Sequence, residues 1–158
     1  MIDLIFAAKF VHMLAIAVMF GGWLAIALFM LFAHRSRTAS VIALTARFVV
    51  SAERLLMAPA VALVPLSGFA LSSAIDLSTS DEPWLLLSIV IYAVTVAAWV
   101  GCVVFELRIR KLTRRAVLDH VPLPAESYRP LFRLWSLCAA PFVLGTIAIF
   151  VLMVWQPH

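Results

Sequence analysis

The sequence predicts an all-α protein, a four-helix transmembrane bundle with both termini outside. Three observations carry the prediction: the apolar content, four uncharged stretches of spanning length, and arginines gathered at one side. Of 158 residues, 65% are apolar and 13% charged, far from the composition of a water-soluble domain. Phe10 to Ala33, Leu55 to Ile75, Pro83 to Phe105 and Leu134 to Pro157 carry no formal charge, and each reaches the roughly 20 residues a helix needs to cross about 30 Å of hydrocarbon. Backbone polar groups in lipid must be paired internally, and the alternating pattern of a membrane barrel is absent, so helices remain. The spans are placed at 8–33, 55–75, 83–106 and 134–155, within a single domain over 1–158 and without an internal repeat.

The first stretch is too long for a signal peptide, starts beside the acidic Asp3 and shows no small-residue cleavage site, so it is expected to be retained. The formal charge of +4 comes from basic residues that flank spans, the pattern that sets orientation in a membrane and needs no nucleic-acid partner. Arg35, Arg37, Arg47 and Arg54 lie between spans one and two. Arg108, Arg110, Lys111, Arg114, Arg115, Arg129 and Arg133 lie between spans three and four. The second connection, from Asp76 to Glu82, holds only acids. The positive-inside rule then gives N-out/C-out topology in a bacterial cytoplasmic (inner) membrane, multi-pass, with two basic loops inside.

Local signals mark the ends. Ser80 is expected to cap the third helix, with Asp81 and Glu82 at its positive end and Pro83 in its first turn. Its other end is expected to run past the bilayer through Ala116, with Glu106 paired to Arg110 one turn on, until Val121-Pro122-Leu123-Pro124 stops it. Trp84 and Trp155 are read as anchors at the outer interface and Trp135 at the inner one. Pro59 and Pro65 predict a kinked second span, and Ser67 and Gly68 a close approach of a neighbour. Either a widened cavity or ordinary bending follows.

Lys9 and His12 are the most informative residues, because ionisable groups within a span are costly and mark a site by default. They share a helix face, which Met19 and Trp23 continue. The imidazole has four available roles: axial ligand to heme iron, copper ligand, proton relay, or interhelical hydrogen bond to a group such as Tyr92. Lys9 either serves the same site or snorkels to nearby headgroups. Spans two to four contain no histidine, and at the depth of His12 only Met153 is a familiar second iron ligand, with Ser88 and Tyr92 at that level. Cys102 and Cys138, at comparable depth in spans three and four, are either a thiol pair or small packing residues. Glu53 and Arg54 read as interfacial groups, and no paired carboxylates are expected within a span.

Lys9-Phe10-Val11-His12, Phe20-Gly21-Gly22, Ala33-His34-Arg35-Ser36, Ala58-Pro59-Ala60-Val61, Pro65-Leu66-Ser67-Gly68 and the closing Leu152-Met153-Val154-Trp155-Gln156-Pro157 together resemble an uncharacterised bacterial family of predicted integral membrane proteins, a domain of unknown function. The likeness runs nearly end to end, although the family ending typically has Lys where Gln156 stands. More distantly, helix one and the start of helix three resemble the heme-b membrane protoporphyrinogen oxidase and the copper-resistance D membrane proteins. In the oxidase a Lys-x-x-His supplies the heme histidine, which implies heme b here with His12 as axial ligand, Lys9, Met153 and Tyr92 as further cofactor contacts, and a redox role. A functional Lys of the oxidase corresponds to Ser88, a departure that puts its activity in doubt. Two other readings stand beside heme: copper handling through His12 and methionines, and a non-enzymatic accessory subunit that presents Gly21, Gly22 and Gly68 to a larger membrane complex or to a homo-oligomer.

Overall fold

The computed structural model describes residues 2–75 and 82–155. The chain runs α1 (Ile2–Ser36), α2 (Ala39–Ala52), a π-helical segment (Glu53–Met57), α3 (Ala58–Ala74), α4 (Pro83–Leu118) and α5 (Ala125–Trp155). α2, the π segment and α3 form one continuous helix of 36 residues, so four helices are long and apolar enough to cross a membrane. At 1.5 Å per residue, 36 residues span roughly 54 Å, well beyond about 30 Å of hydrocarbon. The surplus lies at the basic end. What reads as a first basic loop is therefore mostly helix: only Arg37 and Thr38 separate α1 from α2. α5 likewise begins at Ala125, directly after Pro124, and α4 stops at Leu118 just ahead of the proline-containing run. The cap expected from Ser80 falls outside the described residues; Glu82 is the residue flanking the start of α4 and makes no side-chain cap.

The helices are amphipathic in the inverse sense. Large apolar side chains such as Phe69, 78% exposed, face outward, whereas Ser67, Ser88, Thr95, Glu106, Thr113 and Thr146 are buried. Lipid tails are as apolar as leucine, so helices in lipid associate through close packing and polar contacts instead of hydrophobic burial. Each buried hydroxyl is returned to its own helix, as Thr95 to the Ile91 carbonyl at 2.8 Å and Thr146 to the Phe142 carbonyl at 2.8 Å.

α1 packs along α2 and α3, α2 along α4, and α4 along α5. The α4–α5 seam is the tightest. A methyl group added at Gly145 would collide with the Thr95 hydroxyl, and one at Gly101 would stand 3.0 Å from the Cys138 sulfur. α1 and α5, in contrast, meet through rings: Trp23 stacks on Phe142 with centroids 4.7 Å apart, and Phe20 meets Phe150 edge-on at 5.9 Å. An apolar groove of about 350 Å³ opens along that seam, bordered by Trp23, Leu28, Trp135, Ala139 and Val143.

The prolines of the second span act as local chemistry predicts. Pro59 follows the π segment and Pro65 lies inside α3. Lacking an N–H, Pro65 frees the Val61 carbonyl one turn back, and the Tyr92 hydroxyl donates to it at 2.5 Å. Gly145→Ala is expected to destabilise the α4–α5 seam by about 1–3 kcal/mol, seen as a lower unfolding midpoint in detergent. The double variant G145A/T95A, which removes the opposing hydroxyl, should recover most of that loss.

Candidate functional site

His12 does not meet Tyr92. Its Nδ1 lies 3.0 Å from the Val64 carbonyl oxygen and 3.0 Å from the Ser67 hydroxyl, both on α3. A carbonyl only accepts, so in the neutral ring Nδ1 carries the hydrogen and Nε2 keeps the free lone pair. The ring lies flat against Gly68, where an added Cβ would come within 3.1 Å of Cε1. The sequence predicts the close approach of a neighbouring backbone at Gly68; the His12 side chain occupies that space instead. Lys9 is exposed, and the Tyr92 hydroxyl is committed to the Val61 carbonyl. Met153 is half-buried. The pairing of Phe20 with Phe150 and Trp23 with Phe142 puts it at the depth of His12, while the hydrogen bonds of the ring turn to α3. Among the described residues no group of three or more His, Cys, Asp or Glu is placed to hold a metal ion. Of the glycines proposed as a contact surface, Gly22 packs on the Met57 sulfur and Gly68 on His12; only Gly21 faces open space.

The strongest polar cluster lies elsewhere, where the sequence reading expected interfacial groups. The π segment carries Glu53, only 2% exposed, and α4 carries Glu106, fully buried. Trp99 donates its indole N–H to Glu53 Oε2 at 2.7 Å, and Trp135 donates to Glu106 Oε1 at 2.8 Å. The other oxygen of each carboxyl, Glu53 Oε1 and Glu106 Oε2, has no hydrogen-bond partner among the described residues. The Glu53 carboxyl acts on that of Glu106 electrostatically. Cys102 lies within reach of both and of Cys138, and its thiol points to the Trp135 carbonyl at 3.8 Å. The cysteines are therefore neighbours, both as free thiols.

Three expectations are corrected here. Glu106 does not turn to Arg110: the position faces inward, and a buried carboxyl finds its donor in the indole of α5. Trp135, read from the sequence as an anchor, faces into the bundle as a buried donor, 2% exposed, and Trp84 is also buried, donating to Glu82 at 2.6 Å. Paired carboxyls do occur inside the bundle. One signal for them was present: Trp99, Cys102 and Glu106 repeat at i, i+3 and i+7, a single helix face. Both acids lie roughly 30–35 Å along their helices from the end opposite the basic one, about one hydrocarbon thickness, so the cluster sits where the apolar span gives way to the basic extension.

At that basic end, His34 stacks face to face on Phe132, with centroids 3.8 Å apart and planes 3° from parallel, and its Nδ1 hydrogen-bonds the Tyr128 hydroxyl at 3.1 Å. A recess of about 230 Å³ opens beside it, bordered by Arg37 and Arg129.

Neither curated proteins nor solved structures yield a match. A family model described as predicted integral membrane protein (DUF2269) matches residues 6–157. That match covers nearly the whole chain, and together with four helices of spanning length it places the protein: the chain belongs to this family of integral membrane proteins.

Proposed function

We propose that this membrane protein exchanges protons through the Glu53–Glu106 pair, serving a proton-coupled reaction at the boundary between the bundle interior and the basic, cytoplasm-facing end. One observation carries the reading: two buried carboxyls, each gripped by an indole, each with one oxygen that has no hydrogen-bond partner among the described residues. Ionisable groups at membrane depth are costly and mark function. A buried carboxylate left uncompensated costs several kcal/mol, so the pair takes up positive charge, and the proton is the smallest carrier of it. The indoles hold one oxygen of each acid in place and leave the other free to accept or release. The helical extension beneath them carries the arginines, which keep other cations away from the same path.

Infrared spectroscopy of the purified protein tests this directly. Protonated-carboxyl bands that change with pH should be present, and Glu53→Gln and Glu106→Gln should each remove or shift one of them. Two permanently ionised carboxylates, unaffected by pH, would defeat the proposal. Trp135→Phe removes the indole donor to Glu106 and is expected to cost about 1–3 kcal/mol of stability, while moving the Glu106 band and leaving that of Glu53 nearly in place.

A second reading, heme b bound at His12 in a redox protein, draws on a different observation. Coordinating histidines commonly donate their other ring N–H to a carbonyl, and the Nδ1 of His12 does so to Val64, leaving Nε2 available beside the bare flank of Gly68. Purification after expression with ample heme should then give a Soret band that His12→Ala abolishes. A featureless visible spectrum would remove this reading and leave the carboxyl site standing.

A further inference from the structure

The recess at the basic end has no part in proton exchange, and its lining is distinctive. It lies between the C-terminus of α1, the start of α2 and the first turns of α5, and its polar wall is His34, Arg37, Tyr128 and Arg129. None of the lining residues is acidic; Asp119 and Glu126, the acids nearest in sequence, do not border it. Both guanidinium groups act on the His34 ring, so two positive charges stand beside an imidazole with no carboxylate among the lining residues. Convergence of like charge is unfavourable unless an anion sits among them.

The wall is also rigid. His34 is fixed between the Phe132 ring and the Tyr128 hydroxyl. Arg37 stands in the two-residue link between helices with a φ of 54°, the left-handed region that L side chains rarely occupy. The position therefore holds an arginine where glycine would be the easier choice. Depth points to the ligand. Arg129 lies five residues before Leu134, where the apolar stretch of α5 begins, roughly 7–8 Å along the helix and within the headgroup layer outside about 30 Å of hydrocarbon. The volume is below the roughly 300–1,000 Å³ of sites for drug-sized ligands and suits a phosphate with a short ester substituent. Guanidinium groups bind such oxygens in bidentate fashion.

The geometry points to a phosphomonoester-binding site formed by Arg37, Arg129 and His34, open to a phosphatidic-acid-type headgroup of the adjoining leaflet or to a soluble phosphate monoester. The experiment uses the full chain, purified in mild detergent and stripped of lipid. Dioleoylphosphatidic acid is titrated against dioleoylphosphatidylcholine, with the unfolding midpoint and retention of lipid in native mass spectrometry as readouts. Phosphatidic acid should stabilise the protein and phosphatidylcholine should not. Arg37→Gly, which relieves the backbone as it removes the charge, and Arg129→Gln, at an exposed position, should each weaken binding about fivefold, one interfacial charge being worth about 1 kcal/mol. In phosphatidylcholine Arg129→Gln should keep the unaltered midpoint, and Arg37→Gly should keep or raise it, since it relieves a left-handed backbone position. Glycerol 3-phosphate separates the two sources: competition shows that the headgroup alone suffices, and failure to compete shows that the acyl chains are needed. Equal response to both lipids would overturn the proposal. So would phosphatidic acid binding undiminished in the double variant R37G/R129Q, or weakened as much by Arg54→Gln, an exposed arginine remote from the recess.

Discussion

A carbonyl without its helical partner organises the second span and, through it, the whole bundle. In hydrocarbon no water repairs a missing hydrogen bond, so every proline inside a spanning helix creates a demand that a neighbour must meet. Pro65 creates it at Val61, and Tyr92 of α4 meets it. A turn further along, the Val64 carbonyl, which already belongs to the helix ladder, receives His12 as an additional donor. The two contacts tie α3 to α4 and to α1. Just before Pro59 the ladder widens into a π-helical turn in which the Ala58 N–H reaches the Glu53 carbonyl. Such turns often sit at functional positions, and this one carries Glu53 into the bundle interior.

This arrangement accounts for both polar features inside the bundle. His12 is drawn to the irregular stretch of α3 because a backbone acceptor and a glycine coincide there. Glu53 is drawn inward because the wide turn places it opposite α4, where Trp99 supplies a donor. Glu106 completes the cluster from one side and Trp135 from another. The bundle thus places the unpartnered oxygens of both acids at one level, near the border of the apolar zone.

The four spans, their limits at Pro83 and before Val121, and the value of His12 and of Gly68 were legible in the sequence, because each rests on local chemistry: spanning length, proline, an ionisable group among apolar neighbours, a missing side chain. The partner of His12 was not, since the depth of Tyr92 is right but the ring of His12 faces α3. Glu53 and Glu106 read as interfacial because their sequence neighbours are arginines. Only packing reveals that the arginines point out and the acids in. Helix length was underestimated at the basic end for a related reason: hydropathy marks where lipid stops, and hydrogen bonding continues past that point.

The seams of the bundle differ in mechanical character. α4 and α5 are locked at Gly145, where an added methyl group would collide with the Thr95 hydroxyl, and tightly packed at Gly101, while α1 and α5 touch through aromatic rings, one pair stacked and one edge-on. Trp135 stands at the compliant seam, with one edge on the groove and its N–H on Glu106. The same indole borders the groove and grips the carboxyl, so whatever occupies that groove stands one side chain away from the buried acid.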